Sequence, residues 1–285
     1  RPGHADLAAS LKYGYEDVRD ALERASARET AARTAVGTLC KSLLAEVGVA
    51  VVSHVVAIGE ESVADDAPVP GPDDLPRVDG SPVRTFDAEA EARMTARIDR
   101  AVEERSSVGG VVEVIAYGLP AGLGSHVHWD RKLDTRLAAA CMSVQAMKGV
   151  GIGLGFEAAV TPGHEAHDEI VAEDGGFART TNRAGGIEAG VTNGEPVVVR
   201  VAMKPLSSLT RPLGTVDIAS GEPAEAITQR SDVCAVPRSG VVLEAVVAIE
   251  LADALLEKTG GDTVAEVRRS LDAYRDDLRR RTGPA

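Results

Sequence analysis

Two short polar clusters far apart in the chain carry the parts of a proton-transfer site. One is Arg1-Pro2-Gly3-His4-Ala5-Asp6, and the other is Gln229-Arg230-Ser231-Asp232. An imidazole, carboxylates and arginines suit chemistry on an anionic substrate, the cations holding its charge while His4 and Asp232 exchange protons. Pro2 and Gly3 favour a turn that can aim His4 into a cleft, although taken alone the phrase also fits a surface turn. Arg230 and Asp232, taken alone, also fit a structural ion contact.

Two further clusters suit a bound phosphate or carboxylate. Arg24-Ala25-Ser26-Ala27-Arg28-Glu29 contains the Ser-x-x-Glu pattern of a capping box, and a helix N-terminus flanked by two arginines attracts anions. The glycine-rich run at 181–194 leads through a strand at 196–203 to Lys204, Pro205, Leu206, Ser207 and Ser208. Glycine lets backbone approach a ligand closely, while Lys204, Ser207 and Ser208 offer a charge and two hydroxyls to a phosphate tail. The run does not follow dinucleotide-binding or P-loop spacing.

No metal site is expected. His126 and His128 alternate as on a strand but lack an evident third ligand, and His164 and His167 are three residues apart behind Pro162-Gly163 rather than four apart on a helix face.

The pattern also marks the elements that must position these groups. Residues 30–47 read as a buried helix with small apolar residues on most faces, stopped at Gly48, followed by a Val-rich strand at 50–58. An acidic, Pro-rich loop at 60–82 precedes an exposed amphipathic helix at 87–104, and Gly109-Gly110 opens a strand at 111–117. Residues 133–147 and 241–256 have almost no polar face, so helices there must be covered on both sides. Thr263 to Glu266 is a second capping box, opening a last helix. The fold class predicted is α+β, with helices sandwiched between two antiparallel β-sheets in a single domain over 1–285.

Composition narrows the partners. Lys and Arg number 31 against 44 Asp and Glu, a net charge of −13 with neutral histidine, which repels nucleic acid and anionic membrane. No apolar stretch reaches the ~20 residues of a membrane span. Cys40, Cys141 and Cys234 lie far apart within apolar or small-residue runs, fitting reduced buried thiols and a cytoplasmic setting.

Taken in order, these phrases resemble chorismate synthase along nearly the whole chain. The resemblance is carried by Arg-Pro-Gly-His-Ala-Asp at 1–6, Glu-Arg-Ala-Ser-Ala-Arg-Glu-Thr-Ala at 23–31, Gly-Leu-Pro-Ala-Gly-Leu-Gly-Ser at 118–125 and Gln-Ala-Met-Lys-Gly-Val at 145–150. It continues through Thr-Asn-Arg-Ala-Gly-Gly-Ile-Glu at 181–188, Thr-Asn-Gly-Glu-Pro at 192–196, Met-Lys-Pro-Leu-Ser-Ser at 203–208 and Gln-Arg-Ser-Asp-Val-Cys-Ala-Val-Pro at 229–237.

The resemblance implies a homotetrameric lyase that removes phosphate from 5-enolpyruvylshikimate 3-phosphate by 1,4-anti elimination. It implies a need for reduced FMN, with NADPH as electron donor in some relatives. By the same resemblance Arg1, Arg28 and Arg230 hold substrate, Ser26 donates a hydrogen bond, protonated His4 stabilises negative charge, and Asp232 helps move the proton leaving substrate C6. FMN is assigned to Arg24, Ala25, Ser26, Gln145, Ala146, Ala189, Lys204, Pro205, Leu206, Ser207, Ser208 and Arg230.

Three departures accompany the resemblance. The family's Gly-Glu-Ser-His-Gly and Arg-Arg-x-x-Gly-x-Gly-Arg motifs are absent, so the chain is expected to be a C-terminal portion. The alternative is a catalytically silent fragment or relative that folds and retains weak FMN binding. Ala189 stands where the family usually has Gly, at a cost of ~1 to 2 kcal/mol if its φ is positive, and Gly151 stands where it usually has Glu.

Overall fold

The structure is a computed structural model, and it describes residues 1–173, 176–228 and 232–282. Helices α1 (Asp6–Tyr13) and α2 (Val18–Arg24) precede α3 (Thr30–Ala45), which leads into strand β1 (Ala50–Ile58) and the two-residue β2 (Glu61–Ser62). Next come α4 (Leu75–Gly80), α5 (Ala88–Glu103), β3 (Gly110–Tyr117), α6 (Leu133–Met142), β4 (Met147–Ile152) and the single turn α7 (Gly163–Ala166). Hairpins β5 (Ile170–Glu173)/β6 (Gly176–Arg179) and β7 (Ile187–Glu188)/β8 (Val191–Thr192) are followed by β9 (Val197–Met203). A last hairpin, β10 (Gly214–Val216) and β11 (Pro223–Glu225), precedes the long helix α8 (Val236–Thr259) and α9 (Val264–Thr282).

The fold is α+β. Strands β1, β3 and β9 are dominated by β-branched valines, which favour pairing, and with β2 and β4 they form an antiparallel sheet in the order β2-β1-β3-β9-β4. Val51, Val55, Val112, Val114, Val199 and Val201 are buried in one core with Leu243, Leu251 and Leu255 of α8 and Leu137 of α6. Helix α8 is apolar all round because the sheet covers one side of it and α3 and α6 the other. Pro237, in its first turn, starts it five residues earlier than the apolar run suggests, since proline suits a position whose N–H has no helical partner.

Four expectations change. Helix α3 is not buried all round: Gly37 and Leu44 are, but Val36 is 51% and Leu39 73% exposed, because among the described residues α3 packs chiefly through its α8-facing side. The helix expected over 133–147 stops at Met142, and Ala146 adopts the left-handed φ of 68° before β4 begins. The loop at 60–82 holds β2 and α4, while His126 and His128 lie in an irregular loop rather than a strand.

One charged group ties the layers, and another ties the strands. Glu244 of α8 accepts from Ser53 at 2.7 Å and Arg84 at 3.2 Å, and pairs with Lys41 of α3. On the other sheet face, His54, Glu113, Arg200 and Gly151 form one cross-strand row. Arg200 Nε donates to Glu113 at 2.6 Å, so its guanidinium keeps a carboxylate partner although position 151 offers none. The three cysteines are free thiols; Cys141 is buried, which pushes its pKa up to about 12, whereas Cys40 and Cys234 are only partly covered. No helix among the described residues is long and apolar enough to cross a membrane.

Candidate active site

The end of the sheet where β9 and β4 meet opens onto a cavity of about 780 Å³. Four distant stretches line it: Ser26 and Thr30 at the start of α3, Gln145 and Met147 before and in β4, Met203 and Leu206 at the end of β9, and Asp232, Arg238 and Val242 around the start of α8. Strand pairing brings them together, with Met147 opposite Met203 and the Lys204 N–H donating to the Ala146 carbonyl at 3.0 Å.

The residues just before β3 hold both neighbouring loops. Ser107 Oγ donates to the Leu206 carbonyl at 2.6 Å, and the Val108 N–H donates to the Val233 carbonyl at 3.0 Å. Gly109 lets the 203–205 backbone come this close, since a Cβ there would lie 2.3 Å from the Met203 oxygen and 2.9 Å from the Pro205 nitrogen.

On the α3 wall, Ser26 caps the turn Ala27–Glu29 by accepting from the Arg28 N–H at 3.3 Å. The predicted capping box does not close, because the Glu29 carboxylate is turned to other partners. Arg33 Nε and NH2 each donate to it at 2.9 Å, and Gln145 Nε2 donates at 2.6 Å. The Gln145 hydrogen bond, helped by Arg33 and opposed by partial burial, holds the Glu29 carboxyl below the usual carboxylate range. Gln145 Oε1 is buried and has no hydrogen-bond partner among the described residues. Across the cavity, Asp232 forms an ion pair with Arg238.

A second cluster adjoins this cavity through residues 204–208. Arg1 Nε donates to Asp6 Oδ2 at 2.9 Å, its NH1 donates to Ser208 Oγ at 2.9 Å, and Lys204 Nζ donates to the Gly3 carbonyl. His4 Nδ1 hydrogen-bonds Asp6 Oδ1. Burial lowers the His4 pKa below its ordinary value, with the Asp6 hydrogen bond opposing and the Arg1 charge assisting. Burial would raise Asp6, but hydrogen bonds from Arg1 and His4 outweigh it and bring the carboxyl down to about 2. Arg1 and Asp6 line a separate hollow of about 580 Å³ under the β10–β11 hairpin, so Leu206 faces one cavity while Ser208 is bonded to the wall of the other.

Four of the sixteen sequence-named residues line this cavity, and His4 is not one of them, so the imidazole and Asp232 do not share it. Ser26, Gln145, Leu206 and Asp232 share one cavity; Arg24 and Ala25 end α2 beside it; Lys204, Pro205, Ser207 and Ser208 form the strip joining it to Arg1 and His4. Arg28 is exposed and bound to Glu23 at 2.7 Å. Ala189 lies elsewhere: Gly190 next to it accepts from the Leu133 N–H at the start of α6, whereas Gln145 follows the end of that helix, ~15 Å away for ten residues. Its φ of 50° is left-handed, which meets the condition under which Ala there is costly. Arg230 lies outside the described residues.

Sequence reasoning missed Arg238, Thr30, Met147 and Met203 as cavity residues. Arg238 had a weak signal, lying in the helical turn that follows Pro237 and six residues beyond Asp232. No group of three or more His, Cys, Asp or Glu among the described residues is placed to hold a metal.

Comparison with known proteins adds an independent line. The family model described as chorismate synthase matches residues 1–256. A chorismate synthase of Thermobifida fusca is 58% identical over 279 residues, covering 98% of this chain and 71% of that protein. One of Salinispora tropica is 59% identical, with the same coverage. A crystal structure of chorismate synthase superimposes with a TM-score of 0.82 at 44% identity, covering 97% of this chain and 77% of its own.

Proposed function

This chain belongs to the chorismate synthase family, and on that premise we propose that it takes part in eliminating phosphate from 5-enolpyruvylshikimate 3-phosphate, a hydrogen leaving C6, to give chorismate. The reading is carried by the convergence of Ser26, Gln145, Leu206 and Asp232, from four separate phrases, on one cavity of about 780 Å³. That volume suits a cofactor-sized organic ligand.

The residues present fit FMN. The buried Gln145 Oε1 lacks a hydrogen-bond donor among the described residues, as expected of an atom that awaits a ring N–H, and Lys204, Ser207 and Ser208 supply a cation and hydroxyls for a phosphate tail. Reduced FMN, when bound, would supply the electron-rich ring that lets an elimination without net redox change proceed. By the same resemblance NADPH is a candidate electron donor and the homotetramer the candidate assembly, while the cytoplasmic setting follows from the spaced cysteines and the single domain from the continuous element pattern.

The protein's own groups divide the remaining work. Arg1, Arg28 and Arg230 would hold the phosphate and carboxylates, with Ser26 donating a hydrogen bond. Asp232, exposed to the cavity and paired with Arg238, would carry the proton that leaves the ring. His4 would stabilise the charge on the departing phosphate in its protonated form. Burial and Arg1 keep it mostly neutral near pH 7 in the free protein, so a bound trianion must draw the proton on by raising its pKa.

Anaerobic addition of reduced FMN and the enolpyruvyl substrate is expected to produce chorismate absorbance; a protein that binds FMN and produces none is the silent relative instead. His4→Ala should lower turnover by ~10² to 10⁴. Because protonated His4 is the active form, kcat/KM should fall as pH rises through a midpoint below 6.5, while kcat holds to higher pH. Coincident midpoints would remove the coupling.

A further inference from the structure

Gln145 is held by its backbone and by one carboxylate. The Ala146 carbonyl is taken by the Lys204 N–H at 3.0 Å, and the left-handed φ of 68° at Ala146 fixes the course of the chain there. The side chain then meets Glu29, whose Oε1 accepts from Gln145 Nε2 at 2.6 Å. An ionised carboxylate has no proton to give, so only the nitrogen end of the amide can face it.

Glu29 is itself immobilised. Arg33 grips both of its oxygens at 2.9 Å, and the remaining guanidinium nitrogen NH1 donates at 2.6 Å to Ser143 Oγ in the turn that carries Gln145. The consequence is the buried Gln145 Oε1 with no hydrogen-bond partner among the described residues, in a side chain that lines the cavity. A glutamine free to turn over would present either end of its amide; this one can offer a ligand only its acceptor.

We propose that Glu29, braced by Arg33, is a positioning residue that fixes the amide of Gln145 so that its carbonyl receives an N–H donor of the flavin ring. This rests on the FMN reading above. It also accounts for the open capping box at Ser26: closing it would take the carboxylate away from Gln145.

The test is affinity for oxidised FMN, read by quenching of flavin fluorescence, with thermal melting of each variant as a folding control. Glu29→Gln can accept or donate, so it frees the amide to turn, and the Kd is expected to rise about tenfold, the equivalent of one hydrogen bond. Gln145→Glu sets two carboxylates against each other and should weaken binding at least as much. The double variant Glu29→Gln, Gln145→Glu restores a donor opposite a carboxylate and leaves an acceptor for the ligand, so its Kd should return to within about threefold of the unmodified protein. An unchanged Kd in folded Glu29→Gln, or no recovery in the exchange, overturns the assignment. Should Glu29→Gln fail to fold, Arg33→Lys, which keeps the charge but not the two-pronged grip, is expected to raise Kd about threefold, and no rise overturns it. Unmodified protein that does not bind FMN defeats the flavin reading; binding that ignores Glu29→Gln defeats only the positioning role.

Discussion

Two Ser/Thr-x-x-Glu patterns of the chain stand at the start of a helix, at Ser26 and Thr263, and only one of them closes into a box. At Thr263 the Glu266 N–H donates to Thr263 Oγ1 at 3.3 Å while Glu266 Oε2 accepts from the Thr263 and Asp262 N–H groups at 3.1 and 2.8 Å. At Ser26 the hydroxyl caps through Arg28, and Glu29 reaches away to Arg33 and Gln145. Both carboxyls sit below their ordinary range, Glu266 through backbone N–H groups and Glu29 first through Gln145. Where solvent is the only competitor, the local pattern closes on itself; beside a cavity, a guanidinium and an amide from another element outbid a backbone N–H.

The comparison can be broken most forcefully at the helix contact behind the open box. A Cβ at Gly37 would lie 2.4 Å from Ala245 Cβ and 2.5 Å from its Cα, so Gly37→Ala must push α3 off α8 and carry Ser26 and Glu29 with it. A loss of about 1 to 3 kcal/mol is expected in denaturant unfolding, together with weaker FMN binding. If both hold at unmodified values, the cavity wall does not depend on this packing.

Removing the two caps separates them more gently. Thr263→Ala should cost about 1 kcal/mol with no change in FMN affinity, while Ser26→Ala should cost less stability and weaken ligand binding. Parallel unfolding curves and FMN titrations decide this, and identical fingerprints would erase the distinction between a structural and a functional cap. The smallest effect is expected at Ala189→Gly. Relief of the left-handed φ of 50°, partly offset by glycine's greater freedom when unfolded, should stabilise by about 0.5 kcal/mol. FMN affinity in the isolated chain should not respond, because Ala189 lies beyond the far end of α6.

Much of the scaffold was legible in the residues. The strand at Ala50–Ile58 and the one ending at Tyr117 follow from runs of valine bounded by glycine, and α8 from an apolar helix that needs cover on both sides. What failed did so for nameable reasons. The small apolar residues of α3 suggested burial, yet Ala, Val and Thr do not say which face has a neighbour. The helix at 133 lost its last turn because the pairing of Met147 with Met203 and the Lys204 bond to Ala146 outweigh the helical preference of Gln, Ala and Met. Arg238 went unseen because its neighbour across the cavity, Asp232, is separated from it by the turn into α8.

The order of residues alone determined the family-bearing phrases, the Val-rich strands and the cap at Thr263. Each depends on chemistry within a few residues, where period, side-chain branching and φ preference act. Only the folded chain decided that Ser26, Gln145, Leu206 and Asp232 share a cavity, that Ala189 stands apart from them, and which way the amide of Gln145 faces. Those outcomes are choices among hydrogen-bond partners, and a partner more than a hundred residues away exists only once the sheet and α8 have brought it within 3 Å.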